Sequence, residues 1–445
     1  MDSREGMPVT SAESDLAAVV GAQPAGGHHG GRVLAWAAAA FALALAAYLA
    51  DVVTHPLALT LDWFDLNIYN HAGLITRHDP GTLYSWHFLP GVQYLYTPFA
   101  ALGFAAGSLL PWAVLKWLMT VVSLAAVPAT VWVTFGQLGW RGRERAAAVL
   151  GVSAVALWTE PVLRSVQVGQ IELVLMVLIA WDLCQPDHRR WKGAGVGLAA
   201  GIKLVPLIFI PYLVLAGKLR QAVVATAVFA ATVVVGFIAL PHESVTWWLT
   251  GYFLHAGDFS NTSQGALLNQ SLLALVTRTP AGAGSVHALW LGVAAVVGCL
   301  GLLAAAALAR TGRLTAGWVT CAVTGVLISP ISWDNHWIWL VPLLAVLADA
   351  GFKARRAARW GYWGFGGALA AVFADWPTRW SGRLAFVPHG LVGFDAGRHP
   401  MTEIFHLNDI QLVTWNLFVL GGLAMFVFLV GRAWLAWRNG PAPAT

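Results

Sequence analysis

A carboxylate follows the first long apolar stretch of the chain. Asp65 lies in the string WFDLNIY at residues 63–69. An aspartate at the centre of a bilayer costs about 2.5–3.5 kcal/mol, so ionisable groups near membrane segments usually have a function. A carboxylate at the membrane surface could act as a general base on a hydroxyl group. The alternative is an aspartate that only caps the next helix.

A second polar string, SPISWDNH, occupies residues 329–336. Asp334 and His336 could bind a hydroxyl-rich acceptor or a phosphate, because an imidazole ring donates hydrogen bonds in both its neutral and its charged form. The alternative is an interfacial anchor made by Trp333, Asp334 and Trp337. His336 has no histidine partner at i+4, so the string does not indicate a metal site.

Two cations lie within largely apolar sequence. Lys203 separates two short apolar segments, and Arg164 belongs to a polar tip that also contains Gln167 and Gln170. A cation at that depth requires an anionic partner, and a lipid phosphate is the natural one. The alternative is that the side chains reach outward to the headgroups. Glu172 begins the following helix, and we interpret it as favouring the positive helix end.

The composition is that of an integral membrane protein. Hydrophobic residues make up 58% of the chain and charged residues 11%, and the mean hydropathy is +0.67. Soluble domains carry roughly 25% charged residues. The pI of about 9.3 does not indicate a nucleic-acid partner, because the basic residues form short clusters between apolar segments. The three cysteines lie in or beside apolar stretches and indicate neither disulfides nor a metal.

Apolar segments and basic clusters alternate along the chain. The predicted segments are 33–54, 94–110 (a short interfacial or re-entrant piece), 111–135, 146–162, 171–184, 193–202, 205–216, 223–240, 287–308, 316–328, 337–348, 361–374 and 410–430. The positive-inside rule places the basic clusters and both termini in the cytoplasm. The sequence therefore predicts an all-α protein with about twelve membrane segments.

The other face of the membrane then collects the polar stretches. These stretches contain Asp65, Gln170, Lys203, Asp258, Asn269, Gln270, Asp334, His336 and the loop 375–409. The sequence has no G-x-G-x-x-G or Walker motif, so a nucleotide is not the expected substrate. A sugar carried on a polyprenyl phosphate fits this location. Its phosphate is already a competent leaving group, so one carboxylate is sufficient for a single displacement with inversion.

Six strings, in order, resemble a known family. They are FDLNIY (64–69), YTPF (96–99), VGQIELVL (168–175), GIKLVPLIFIPYL (201–213), NQSL (269–272) and SPISWDNHW (329–337). The chain is similar to the actinobacterial polyprenol-phosphate-mannose-dependent α-1,2-mannosyltransferases of the GT-C superfamily, over roughly residues 63–342. It departs from the family pattern at Asn335, where a histidine is expected, and at Glu172, where an asparagine is expected.

The resemblance implies a multi-span GT-C fold in the plasma membrane and an extracytoplasmic site. It also implies transfer of mannose to a phosphatidylinositol mannoside or to lipomannan. The family's catalytic aspartate and its histidine correspond to Asp65 and His336. We expect the remaining site residues to be Lys203 and Arg164 (with His336) at the donor phosphate, and Tyr69, Gln170, Asn269, Gln270 and Asp334 at the acceptor or sugar.

We expect neither a metal nor a cofactor. We also expect residues 1–32 to be a disordered cytoplasmic tail, residues 33–438 a single catalytic domain and residues 439–445 a second cytoplasmic tail. Two alternatives remain at this point. One is a GT-C transferase for another lipid-linked sugar such as arabinofuranose, and the other is a lipid or solute transporter, although no inverted repeat is evident.

Overall fold

The computed structural model describes residues 27–54, 63–89, 92–255, 267–279, 285–376, 378–380, 383–385 and 407–439. The region around Asp258, most of the loop 375–409 and the outer parts of both predicted tails lie outside these residues. The described chain is mostly helical. It also contains two short antiparallel strand pairs, β1 (His87–Leu89) with β2 (Val92–Gln93) and β3 (Thr378–Trp380) with β4 (Arg383–Ala385).

The helices follow the apolar segments of the sequence. They are α1 (Gly27–Thr54), α2 (Phe64–His78), α3 (Pro98–Gly107), α4 (Trp112–Gln137), α5 (Gly142–Leu157), α6 (Glu160–Val168), α7 (Glu172–Leu183), α8 (Ala194–Ile202), α9 (Phe209–Leu215), α10 (Leu219–Ala239), α11 (Pro241–Ser244), α12 (Tyr252–His255), α13 (Leu272–Arg278), α14 (Val286–Arg310), α15 (Leu314–Ile328), α16 (Leu340–Lys353), α17 (Arg356–Val372), α18 (Asp409–Thr414) and α19 (Leu417–Asn439). A 3₁₀ turn, Asp334–Trp339, precedes α16.

Among the described residues, six helices are long and apolar enough to cross a membrane, and the number is seven if one bent pair counts as a span. Helices suit this role because they satisfy all their backbone hydrogen bonds internally. Several predicted segments are instead short, among them Pro98–Gly107 and Leu314–Ile328. The predicted total of about twelve membrane segments therefore stays a prediction.

The bent pair differs from the prediction. The predicted helix 146–162 is wrong at its end, because α5 stops at Leu157 and α6 starts at Glu160. Pro161 explains the new start, since proline lacks a backbone N–H and is favoured in the first turn of a helix. The helices α6 and α7 then meet at an angle of 118°. Likewise α1 begins at Gly27, so residues 27–32 of the predicted disordered tail are helical, because extending an existing helix gains a hydrogen bond for each residue that is fixed.

The loops that carry basic residues meet at one end of the helical bundle. Lys353 Nζ donates to the carbonyl of Leu138 at 3.1 Å, and Arg310 Nε donates to the carbonyl of Leu215 at 2.7 Å. The opposite end holds α2, the β1–β2 hairpin, α3 and residues 267–271 and 329–336. The predicted separation of basic loops from polar strings is therefore present in the fold.

Candidate active site

A cavity of about 560 Å³ opens at the end of the bundle opposite the basic loops. Its walls come from α2, the start of α3, the bend between α6 and α7, the turn after α8 and the string 329–336. Seven of the predicted site residues line it, namely Asp65, Tyr69, Arg164, Gln170, Lys203, Asp334 and His336. These seven residues from four separate parts of the chain are thus brought to one place.

Two unusual backbone positions fix the start of α2, which carries Asp65 in its first turn. Trp63 has φ of 48°, and among the described residues it is the one non-glycine residue with positive φ. Its backbone N–H donates to the carbonyl of Gln167 at 2.9 Å, which joins α2 to α6. Gly169 has φ of 68°, and a Cβ there would lie 2.6 Å from Leu66 Cβ. The left-handed conformation of Trp63 costs about 1–3 kcal/mol, and such strain persists only where the surroundings impose it, often at active sites.

Gln170 orients the carboxylate of Asp65. Its Nε2 donates to Asp65 Oδ2 at 2.8 Å. Its Oε1 accepts from the hydroxyl of Tyr96 at 2.7 Å and from the hydroxyl of Tyr69, and the two tyrosine oxygens are 2.6 Å apart. Burial raises the pKa of Tyr96 to about 12, so the phenol is neutral and can donate near pH 7. These donors direct the amide N–H toward Asp65.

Lys203, Glu172 and His336 form a second polar group. Lys203 Nζ forms an ion pair with Glu172, and His336 Nε2 lies 3.1 Å from Glu172 Oε1. The distance from Lys203 Nζ to His336 Nε2 is 3.4 Å. Lys203 terminates α8 in an extended conformation, which turns its side chain away from the helix. An apolar slot that includes Leu175, Ile179 and Phe209 adjoins this group.

Arg164 faces a third polar group. Its Nε lies 3.8 Å from Asp334 Oδ2, and its Nη1 donates to Gln167 Oε1 at 2.8 Å. Asp334 is almost fully buried, and its Oδ1 accepts the backbone N–H of Asn335 at 2.8 Å. Glu160 is fully buried on the same side. Asp334 therefore lines the cavity but is already engaged by Arg164.

Asn269 and Gln270 do not line the cavity, and their expected role at the sugar finds no support in their positions. Asn269 Oδ1 accepts the backbone N–H of Ser332 at 3.1 Å. Gln270 Nε2 donates to the carbonyl of Trp415 at 2.7 Å, and its Oε1 accepts the backbone N–H of Phe418 at 3.1 Å. The side-chain amides thus satisfy buried backbone groups, which is the usual role of polar groups in an interior.

The loop that contains these amides holds the string 329–336 in place. Asn269 pairs with Trp333 in an antiparallel bridge, and Asp334 donates its backbone N–H to Leu268 at 2.9 Å. The buried Arg278 donates to the carbonyl of Asn269 at 2.6 Å and to that of Trp415 at 2.9 Å. Arg278 and Gln270 therefore connect the site to the start of α19.

The sequence interpretation missed two site residues. Glu172 was assigned only to the helix end, and Tyr96 was not assigned a role. Both lie within strings that carry the family resemblance. The departure of Glu172 from the family pattern is the sequence signal that could have identified it. Within the part of the chain that the structure describes, no group of three His, Cys, Asp or Glu residues could hold a metal ion.

The sequence comparisons identify the family. The model of glycosyltransferase family 87 matches residues 94–330. The chain belongs to glycosyltransferase family 87. It is 32% identical, over 68% of its length and 70% of the relative's, to the polyprenol-phosphate-mannose-dependent alpha-(1-2)-phosphatidylinositol pentamannoside mannosyltransferase of Mycobacterium tuberculosis (strain CDC 1551 / Oshkosh). It is 31% identical to the protein of the same description from Mycolicibacterium smegmatis, over 72% and 78% of the two lengths.

A third relative, the polyprenol-phosphate-mannose-dependent alpha-(1-2)-phosphatidylinositol mannoside mannosyltransferase of M. tuberculosis (strain H37Rv), is 29% identical over 66% of the chain and 69% of the relative. No solved structure matches the chain. The resemblance found in the sequence is confirmed. The protein is a predominantly helical membrane glycosyltransferase of GT-C type.

Proposed function

We propose that this enzyme transfers mannose from polyprenyl-phosphate-mannose to a mannolipid acceptor, a phosphatidylinositol mannoside or lipomannan, in an α-1,2 linkage. The names of the family 87 relatives support the donor, the linkage and the phosphatidylinositol mannoside acceptor. The observation that carries the mechanism is the cavity, because the carboxylate of Asp65, which accepts a hydrogen bond from Gln170, shares it with the two cations Arg164 and Lys203.

Asp65 is the general base in this mechanism. The acceptor hydroxyl gives its proton to Asp65 as its oxygen attacks the anomeric carbon. The bond from that carbon to the phosphate oxygen breaks, and the polyprenyl phosphate leaves from the opposite face, so a β-linked donor gives an α-linked product. General base catalysis contributes roughly 10²–10⁴ in rate. Gln170 is a positioning residue, because its amide fixes Asp65 Oδ2 at 2.8 Å.

The donor phosphate lies against Lys203 and His336, with Arg164 as the second cation. Charge-assisted hydrogen bonds to phosphate are among the strongest in proteins, and they stabilise the charge that develops on the leaving group. We assign Tyr69 and Asp334 to the sugar-facing wall, because both line the cavity.

The cavity faces the extracytoplasmic side of the plasma membrane in this proposal, and residues 33–438 act as one catalytic domain. The positive-inside rule supports the orientation. Single cysteines introduced near Arg143, Arg190 or Arg356 should react only with reagent applied from the cytoplasm. Cysteines near Gly257 or Gly390 should react from outside. Labelling of the last two positions from opposite sides of the membrane would contradict a shared site.

The activity test uses purified protein, radiolabelled polyprenyl-phosphate-mannose and a series of phosphatidylinositol mannosides. We expect one added mannose on thin-layer chromatography, and an α-1,2 linkage by NMR of the product. Transfer from a lipid-linked arabinofuranose but not from the mannose donor would favour the pentose alternative. Lipid translocation in vesicles without any transfer would favour the transporter alternative.

A further inference from the structure

The group formed by Lys203, Glu172 and His336 has a charge arrangement that an incoming phosphate must change. Lys203 is already neutralised by Glu172. The ammonium nitrogen of Lys203, 3.4 Å from His336 Nε2, opposes a positive charge on the imidazole ring. On its own this group therefore favours one cation, one anion and a neutral ring.

The cavity as a whole is short of positive charge. Its described walls contribute the carboxylates of Asp65 and Asp334 and the cations of Arg164 and Lys203, and Glu172 contacts Lys203 directly. Three carboxylates thus meet two cations. A phosphodiester adds a further negative charge. Placing an uncompensated charge in a partly buried site is costly, so a protein group commonly changes its protonation state instead.

The surroundings of the imidazole ring fit the charged form once the phosphate is present. His336 Nε2 lies 3.1 Å from Oε1 of the Glu172 carboxylate. An imidazolium has two N–H donors and no acceptor, so its Nε2–H would donate to this carboxylate. A phosphate that takes up the charge of Lys203 removes the main opposition to this form.

We propose that binding of the donor phosphate is coupled to uptake of one proton, which His336 holds against Glu172. The inference rests on the proposed function, since it takes the lipid phosphate as the ligand of Lys203. The proton comes from solvent, and no bond other than the new N–H forms. Glu172 is a positioning residue here: it keeps Lys203 in place and stabilises the imidazolium.

Other charged or titratable groups come from the elements around His336. They are Glu160 and Arg164 on α6, Glu172 on α7, Lys203 at the end of α8, Asp334 on the same 3₁₀ turn, and Asp65 and Tyr96 across the cavity. Asp334 is engaged by Arg164, and Asp65 by Gln170. Glu172 is the carboxylate that contacts the ring.

The test is isothermal titration calorimetry of the purified full chain with polyprenyl-phosphate-mannose and no acceptor. Titrations in two buffers of different ionisation enthalpy, at the same pH, count the protons that are taken up. We expect uptake of about one proton per bound donor near pH 7.5. Above pH 7.5 the affinity for the donor should fall about tenfold for each pH unit. Donor binding with no proton uptake would overturn this inference and leave the proposed function intact. No donor binding at any pH would overturn the proposed function itself.

Three variants assign the proton. Glu172→Gln should bind donor with proton uptake near zero and little pH dependence, because Lys203 then offers an unneutralised charge. Glu172→Asp keeps the carboxylate and should retain the uptake, which tests whether loss in the first variant is merely structural. Glu243→Gln is the matched control: Glu243 is a buried carboxylate 2.6 Å from the Nδ1 of a histidine, His242, outside the cavity. It should behave as the wild type. Full uptake in Glu172→Gln would refute the assignment.

Discussion

Gly169→Ala tests the contact between the α6–α7 bend and the helix that carries Asp65. A Cβ at this position would lie 2.6 Å from Leu66 Cβ. Carbon atoms pack at about 3.5–4.0 Å, so α2 must retreat by about 1 Å. The hydrogen bond from Gln170 to Asp65, now 2.8 Å long, would then exceed the range of a hydrogen bond.

The expected loss is about 100-fold in kcat, which is typical of a 1 Å misplacement of a catalytic group. Alanine in the left-handed conformation costs a further 1–2 kcal/mol or so in stability. Initial rates of mannose transfer and thermal unfolding in detergent measure the two effects. Gly151→Ala is the control, because Gly151 lies in α5 with open space around it. Equal, wild-type rates in both folded variants would refute the positioning of Asp65 by this contact.

Three further predictions concern the rest of the site. Lys203→Met should lower activity about 10- to 100-fold, the value of a charge-assisted hydrogen bond. Because this substitution leaves Glu172 unpaired, the double variant Lys203→Met with Glu172→Gln is the control. Normal turnover and donor affinity in the folded double variant would show that Lys203 contacts the lipid headgroups and not the donor phosphate. Excess EDTA should leave the rate of transfer unchanged, whereas loss that Mg²⁺ or Mn²⁺ restores would make Asp65 or Asp334 a metal ligand. Arg278→Met should lower the unfolding free energy by about 2–4 kcal/mol, since it strands buried carbonyl groups, while Arg77→Met on the exposed surface of α2 should leave the unfolding temperature unchanged.

The sequence could predict that the polar strings converge on one site, because this depends only on the alternation of apolar segments and basic clusters. Apolar segments and basic clusters fix which strings share a face, and Asp65, Lys203 and His336 follow from that. The direction in which a polar side chain points is a different matter. Asn269 and Gln270 have the composition of a sugar site, yet their amides serve backbone groups more than 60 residues away along the chain.

Long-range pairs set the remainder of the site. Glu172 and Lys203 are 31 residues apart, and only the packing of α7 against α8 brings them together. Similarly, the bend at Gly169 and the positive φ of Trp63 reflect contacts between α2 and α6. Local sequence preferences do not contain this information, so Glu172 could be interpreted only as a helix-end residue.

The central claim is that Asp65 takes the proton of the acceptor hydroxyl, and the single-turnover rate of Asp65→Asn tests it most directly. Asparagine keeps the shape and removes the basicity, so donor affinity should be unchanged. The rate of mannose transfer from the preformed donor complex should fall about 10²-fold or more. Asp79→Asn, an exposed aspartate at the end of α2, is the control and should transfer at the wild-type rate. Transfer at the wild-type rate by folded Asp65→Asn would contradict the mechanism.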